Sequence, residues 1–251
     1  MKLFFQTSAV ILILILNGFG VSQAQSKPVT APQKPAQKRP AKSIRFVPPT
    51  PPDPGEPGGR GQGGGSRGAC RPYQSVSALV PQSGWGLTTS DRPTLWFNLP
   101  QGLEEGVVME WVVRDKTGNS IVKTRLKAPK TPPGVISLSV PPTPALKVNQ
   151  PYRWTFSIYC DPQEPDQPLI VRGRIQRSVL SPQLQAQIAS AAPLEKAALY
   201  AENGIWYDSL TTLGLQLQTQ KDPTIAAAWT ALLRQEKLVP SGAIVPCCIV
   251  K

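Results

Sequence analysis

Between Pro151 and Cys160 the chain alternates with a strict period of two. Tyr152, Trp154, Phe156, Ile158 and Cys160 fall on one side, and Arg153, Thr155, Ser157 and Tyr159 on the other. Successive side chains of an extended chain point to opposite faces, so this stretch can bury one face only as a β-strand. The period recurs where Val107, Met109, Trp111 and Val113 alternate with Val108, Glu110, Val112 and Arg114; Lys116-Thr117-Gly118-Asn119 then turns the chain into Ser120 to Lys127. That is the pattern of a hairpin. Further strands are expected at Ser75–Val80, Pro93–Leu99, Gly134–Val140 and Leu169–Ser178. Short strands at this spacing predict an immunoglobulin-like antiparallel β-sandwich over residues 68–180.

Beyond Pro182 the period becomes helical. Trp206, Leu210, Leu213 and Leu217 line one face of a helix, and Ile225, Ala228, Trp229, Leu232 and Leu233 line one face of another. Asp222-Pro223 supplies an N-cap with proline in the first turn, and Pro193–Glu202 predicts a third helix. We therefore expect a small helical hairpin unit over 181–238, docked on the sandwich and followed by a tail, 239–251. In these registers Trp96, Trp111, Trp154, Trp206 and Trp229 are core residues. Trp85, between Gly84 and Gly86, reads instead as an exposed loop aromatic suited to a sugar or protein contact.

Ahead of the strands lie two segments of different character. Lys2, the apolar run Ala9–Leu16 and the small residues Ser22-Gln23-Ala24 read as a signal peptide over 1–24; the run is shorter than the roughly 20 apolar residues a membrane span needs. Residues 25–67 hold 10 of the 29 prolines and 7 of the 20 glycines, with Val29, Ile44, Phe46 and Val47 as the large apolar residues. That is too little to offset the entropy of ordering the segment, so it reads as a disordered Pro/Gly-rich linker. It is basic, with eight Lys and Arg against Asp53 and Glu56. Its glycine tract Gly61–Ser66 follows prolines rather than a strand and lacks a Gly-Lys-Ser/Thr ending, so it is no phosphate loop.

Export into an oxidising compartment, periplasmic or secreted, turns the four cysteines toward disulfides. Cys70 and Cys160 bracket the β-region, and Cys160 faces inward in the register above, so these two are expected to pair. Cys247 and Cys248 stay open between free thiols, a link to a partner chain and a bond to each other.

The chain has no histidine, which removes Ser-His-Asp and Cys-His catalysis, His-ligated metals and histidine pH switches. No metal or cofactor is expected. With 27 Lys and Arg against 15 Asp and Glu the chain is basic, but an exported protein without a recognition motif points away from nucleic acid. Strand alternation puts Lys123, Arg125 and Lys127 on one side of a strand, Arg172 and Arg174 on one side of another, and Arg153 on a third. If those strands are neighbours, they form a basic plate suited to phosphate, sulfate or carboxylate groups. If they are not, the same charges only discourage edge-to-edge pairing. Glu104, Glu105, Glu110, Asp115, Asp161 and Asp208 are the acids available for hydrolysis, with no spacing that forces a catalytic pair. Glu104-Glu105 reads as a turn, and Asp208 as a water-facing helical residue.

Several short motifs occur in fixed order: Arg67-Gly68-Ala69-Cys70, Leu79-Val80-Pro81, Pro93-Thr94-Leu95-Trp96-Phe97, Pro133-Gly134-Val135-Ile136-Ser137-Leu138, Tyr152-Arg153-Trp154-Thr155-Phe156, Cys160-Asp161-Pro162, Gly173-Arg174-Ile175-Gln176-Arg177, Gly204-Ile205-Trp206-Tyr207-Asp208-Ser209-Leu210 and Ala228-Trp229. In this order the folded region resembles the family named domain of unknown function 928, exported proteins of cyanobacteria. The resemblance implies export and a shared fold and brings no activity with it. It departs at Arg174, where an aromatic is usual, and does not reach Cys247-Cys248. The expectation is a non-catalytic binding or adaptor protein of the cell envelope, contacting a protein partner, an anionic polymer or a lipid headgroup, with no transmembrane span after signal cleavage. The alternative is a carboxylate-dependent hydrolase acting on envelope polysaccharide.

Overall fold

A computed structural model describes residues 43–52, 70–139, 145–160 and 167–248. The leader expected over 1–24 and the acid Asp161 lie outside the described residues. Within them, eight strands form two sheets: β1 (Ser77–Ala78), β3 (Thr94–Leu99) and β6 (Gly134–Ser139) in the order β1-β3-β6, and β2 (Trp85–Thr88), β4 (Val108–Arg114), β5 (Ser120–Lys127), β7 (Pro151–Tyr159) and β8 (Leu169–Arg177) in the order β2-β8-β7-β4-β5. Four helices follow, α1 (Pro182–Ser190), α2 (Pro193–Glu202), α3 (Trp206–Thr219) and α4 (Pro223–Gln235). The expected β-then-α order holds. The pairing departs from a wholly antiparallel sandwich at β2, which runs parallel to β8.

The sheets meet through the apolar faces the alternation marks. Phe97 of β3 packs against Phe156 and edge-on to Trp154 of β7, with ring centroids 4.5 and 5.8 Å apart. The opposite face of β3 carries Trp96, whose ring meets Trp229 of α4 edge-on and whose Nε1 donates to Thr211 Oγ1 of α3. The helices thus cover the outer side of the smaller sheet. Gly214 of α3 lets the Trp96 ring lie against the helix backbone; a Cβ there would overlap the indole. Asp222 caps α4 by accepting from the Thr224 and Ile225 amides, and Ser181 caps α1 by accepting from Leu184. Sequence reading did not separate α1 as a helix of its own.

The Cys70–Cys160 disulfide is present, with Cα atoms 5.1 Å apart, and ties the segment before β1 to the end of β7. Cys247 and Cys248 are bonded to each other. Part of the expected tail joins the fold: Val135 of β6 donates to Ala243 O and accepts from the Val245 amide, extending the smaller sheet by a parallel bridge.

The disordered-linker reading of 25–67 fails at 43–52. Ile44 and Phe46 are buried, and Phe46 sits edge-on to Trp206 with centroids 4.9 Å apart. The Gln235 side chain accepts from the Phe46 amide and donates to Ile44 O, while the Val47 amide donates to Ala201 O. Two buried side chains and three polar links therefore hold a strap across α2, α3 and α4, although the composition of the whole segment is that of a coil. Phe46→Ala is expected to cost about 3 kcal/mol, the lower end for loss of a buried phenyl ring. Urea unfolding checks this, and an unchanged midpoint would mean that the strap contributes nothing.

Candidate functional site

Strand order decides whether the scattered cations share a surface, and it unites them. In the larger sheet Arg114 is in register with Arg153, and Arg153 with Arg174. One step along, Lys123 opposes Val112, Val112 opposes Thr155, and Thr155 opposes Arg172. A further step pairs Arg125 with Glu110 and Glu110 with Ser157, and the last pairs Lys127 with Val108 and Val108 with Tyr159. Registered partners in neighbouring strands point to the same face, and the strands lie about 4.8 Å apart. Lys123, Arg125, Lys127, Arg153, Arg172 and Arg174 therefore lie on the face turned away from the smaller sheet, joined by Arg114. Sequence reading placed Arg114 on this side of its strand but had no neighbour to give it.

Glu110 lies among these cations. It is buried, with Lys123 Nζ 3.5 Å from its Oε2 and the Tyr159 hydroxyl donating to its Oε1 at 3.2 Å. Arg125 lies over the Tyr159 ring, 4.6 Å from its centroid. Burial, and then the neighbouring Glu110 charge, push the Tyr159 phenol above its usual range, so the hydroxyl stays a donor. Val112 and Ser157 are buried although they belong to the outer face. We attribute this to the aliphatic stems of the long cationic side chains lying over them.

The exposed-aromatic reading of Trp85 is overturned, since the residue is 1% exposed. It occupies β2, in register with Arg174, whose guanidinium carbon is 5.8 Å from the indole centroid and whose Nη2 donates to Ser83 O. The flanking glycines suggested a loop for a reason unrelated to exposure. Gly84 has φ +65°, and a Cβ on Gly86 would sit 3.0 Å from the Tyr207 ring. Trp85, Arg153, Arg174, Tyr152, Asp115 and Pro52 border a cavity of about 60 Å³ at this corner. Asp115 is engaged locally: hydrogen bonds led by the Thr117 hydroxyl hold its carboxyl below the usual range.

Among the described residues the remaining acids do not converge. Glu104 and Glu105 are exposed, between Gly102 at φ +70° and Gly106 at φ +82°. Asp208, expected to face water, is instead half-buried, accepting from the Thr88 and Thr89 hydroxyls and the Thr89 amide. Burial raises its pKa against the lowering effect of those bonds. It borders a cavity of about 170 Å³ with Tyr200, Lys196 and Arg92. A larger groove of about 520 Å³, lined by Val80, Pro81, Asn98, Glu236, Leu238 and Val239, runs between β1 and the end of α4. Each of these three spaces contains one carboxylate. Among the described residues no three Cys, Asp or Glu come together to hold a metal, and no helix is long and apolar enough to cross a membrane.

Comparison with curated proteins finds no match. The family model for Domain of Unknown Function (DUF928) matches residues 62–244, which takes in both sheets and all four helices and leaves out the strap and the Cys247–Cys248 pair. The chain belongs to the DUF928 family.

Proposed function

We propose that this chain is a non-catalytic binding module of the cell envelope, periplasmic or secreted, in which an immunoglobulin-like two-sheet scaffold holds an anionic partner against the outer face of the β2-β8-β7-β4-β5 sheet. The observation that carries this is the register of Arg114, Arg153 and Arg174 across three adjacent strands, with Arg172 and the three cations of β5 on the same face. Cations held in one row act together on an anion that spans them, each adding its own attraction. Guanidinium groups suit carboxylate, sulfate and phosphate because their planar fork donates two parallel hydrogen bonds. The disulfides support the compartment, since such bonds persist where the milieu is oxidising.

The test is titration with heparin and with polyphosphate at several ionic strengths. Binding is expected to weaken steadily as salt rises. The triple variant K123E/R125E/K127E, on an exposed edge strand, is expected to lose at least roughly tenfold in affinity; it also sets carboxylates against the buried Glu110 and lowers the unfolding midpoint, so affinity is compared well below that midpoint. Unchanged affinity in that variant would place the binding surface elsewhere, and no binding to either polymer at low salt would remove the proposal.

A further inference from the structure

β5 is the last strand of its sheet. It pairs with β4 alone, and among the described residues no backbone hydrogen bond joins residues 121–127 to anything beyond that ladder. The bond from the Ala128 amide to Val107 O sets the phase of the ladder. In an antiparallel pair, hydrogen-bonded and non-hydrogen-bonded partners alternate. Val107 with Ala128 is bonded, so Val108 with Lys127 is not, and neither are Glu110 with Arg125 or Val112 with Lys123. The amides and carbonyls of Lys123, Arg125 and Lys127 therefore point away from β4, toward the open edge. The same three residues carry the positive side chains.

We infer that the open edge of β5 takes up an extended acidic polypeptide segment as an added antiparallel strand. This rests on the basic-face reading and names the class of anionic partner. A glycan or a lipid headgroup answers the side chains alone, whereas a polypeptide answers the side chains and the unused backbone groups together. Charge complementarity selects the occupant. A second copy of the chain, pairing its own β5 about a twofold axis, would bring Lys and Arg opposite Lys and Arg, which opposes association. A strand with acids at every second position sets them beside Lys123, Arg125 and Lys127 on the outer face. Those acidic residues are also the ones whose amides and carbonyls turn toward β5.

The test uses the disulfide-bonded protein and a synthetic peptide as long as β5, alternating glutamate with threonine, with heparin titrated in parallel. N-methylation of the glutamate amides, which face β5, is expected to weaken binding at least roughly tenfold, and N-methylation of the threonine amides, which face away, to leave it within about twofold. Equal effects of the two methylations, or heparin binding without peptide binding, overturn the added strand while leaving the basic face standing. Failure of both probes overturns both readings. On the protein side, Arg125→Gln and Arg125→Pro lose the same charge, but only the proline loses the outward amide, and an edge strand tolerates proline there. Peptide affinity is expected to fall further for Arg125→Pro than for Arg125→Gln while heparin affinity falls equally. Equal peptide affinities would overturn the inference.

Discussion

Replacing Cys70 and Cys160 together by Ala lowers the thermal midpoint by roughly 10 °C. The bond closes a loop with a sequence separation of 90, within which β1 to β7 are made. For a loop of that length the chain-entropy argument gives about 4.6 kcal/mol, and in a chain of this size each kcal/mol moves the midpoint by about 2–4 °C. Cys70 is buried and Cys160 half-buried, so the bridge also anchors the start of the smaller sheet to the middle of the larger one. Calorimetry of the double variant against the oxidised protein checks the value. A midpoint within a degree or two would mean that sheet packing alone holds these two segments together.

Trp154→Ala carries the second large effect, a loss of about 4 kcal/mol or more in urea unfolding. Trp154 is 1% exposed and stands edge-on to Phe97 at the centre of the sandwich. Its Nε1 donates to the Tyr207 hydroxyl at 3.2 Å, which donates in turn to Arg174 O at 3.1 Å, so the chain of bonds links β7, α3 and β8. Burial pushes the Tyr207 phenol far above its usual range, which keeps this hydroxyl protonated and able to pass the bond on. Truncation therefore leaves a cavity and takes away the hydrogen bond that the buried Tyr207 hydroxyl accepts, leaving it only the one it donates to Arg174 O. The opposite error is expected at Gly173, in register with Trp154, where a Cβ would overlap the indole. Gly173→Val overfills the same site and is expected to cost about 1–3 kcal/mol. If Trp154→Ala costs less than about 1 kcal/mol, the helices are not coupled to the sandwich through this residue.

Most of the strands were legible because alternation is a local property. Tyr152 to Cys160 declares its two faces without reference to any other part of the chain, and the five core tryptophans follow from the same periods. The basic face was legible only in halves. Parity set the side on which Arg153 or Lys123 lies, but the order β2-β8-β7-β4-β5 depends on pairings between distant segments that no local pattern records. Arg114 was missed for that reason. β2 was hidden because it has four residues, two of the flanking or internal positions being glycine, and pairs in parallel with a strand far along the chain. The strap at 43–52 was hidden by averaging: Ile44 and Phe46 are anchored one by one, while the segment around them has the composition of a coil. Asp208 was misread because its partners are Thr88, the end of the strand that was itself missed, and Thr89, which follows it.

The location of the binding surface is tested most directly by amide hydrogen exchange of the oxidised protein with and without heparin at low salt. Added protection is expected along Val108–Arg114, Ser120–Lys127, Pro151–Tyr159 and Leu169–Arg177, strongest in Ser120–Lys127 and fading as salt rises. Protection confined to Pro182–Gln235, or to the groove beside Leu238 and Val239, would contradict the account.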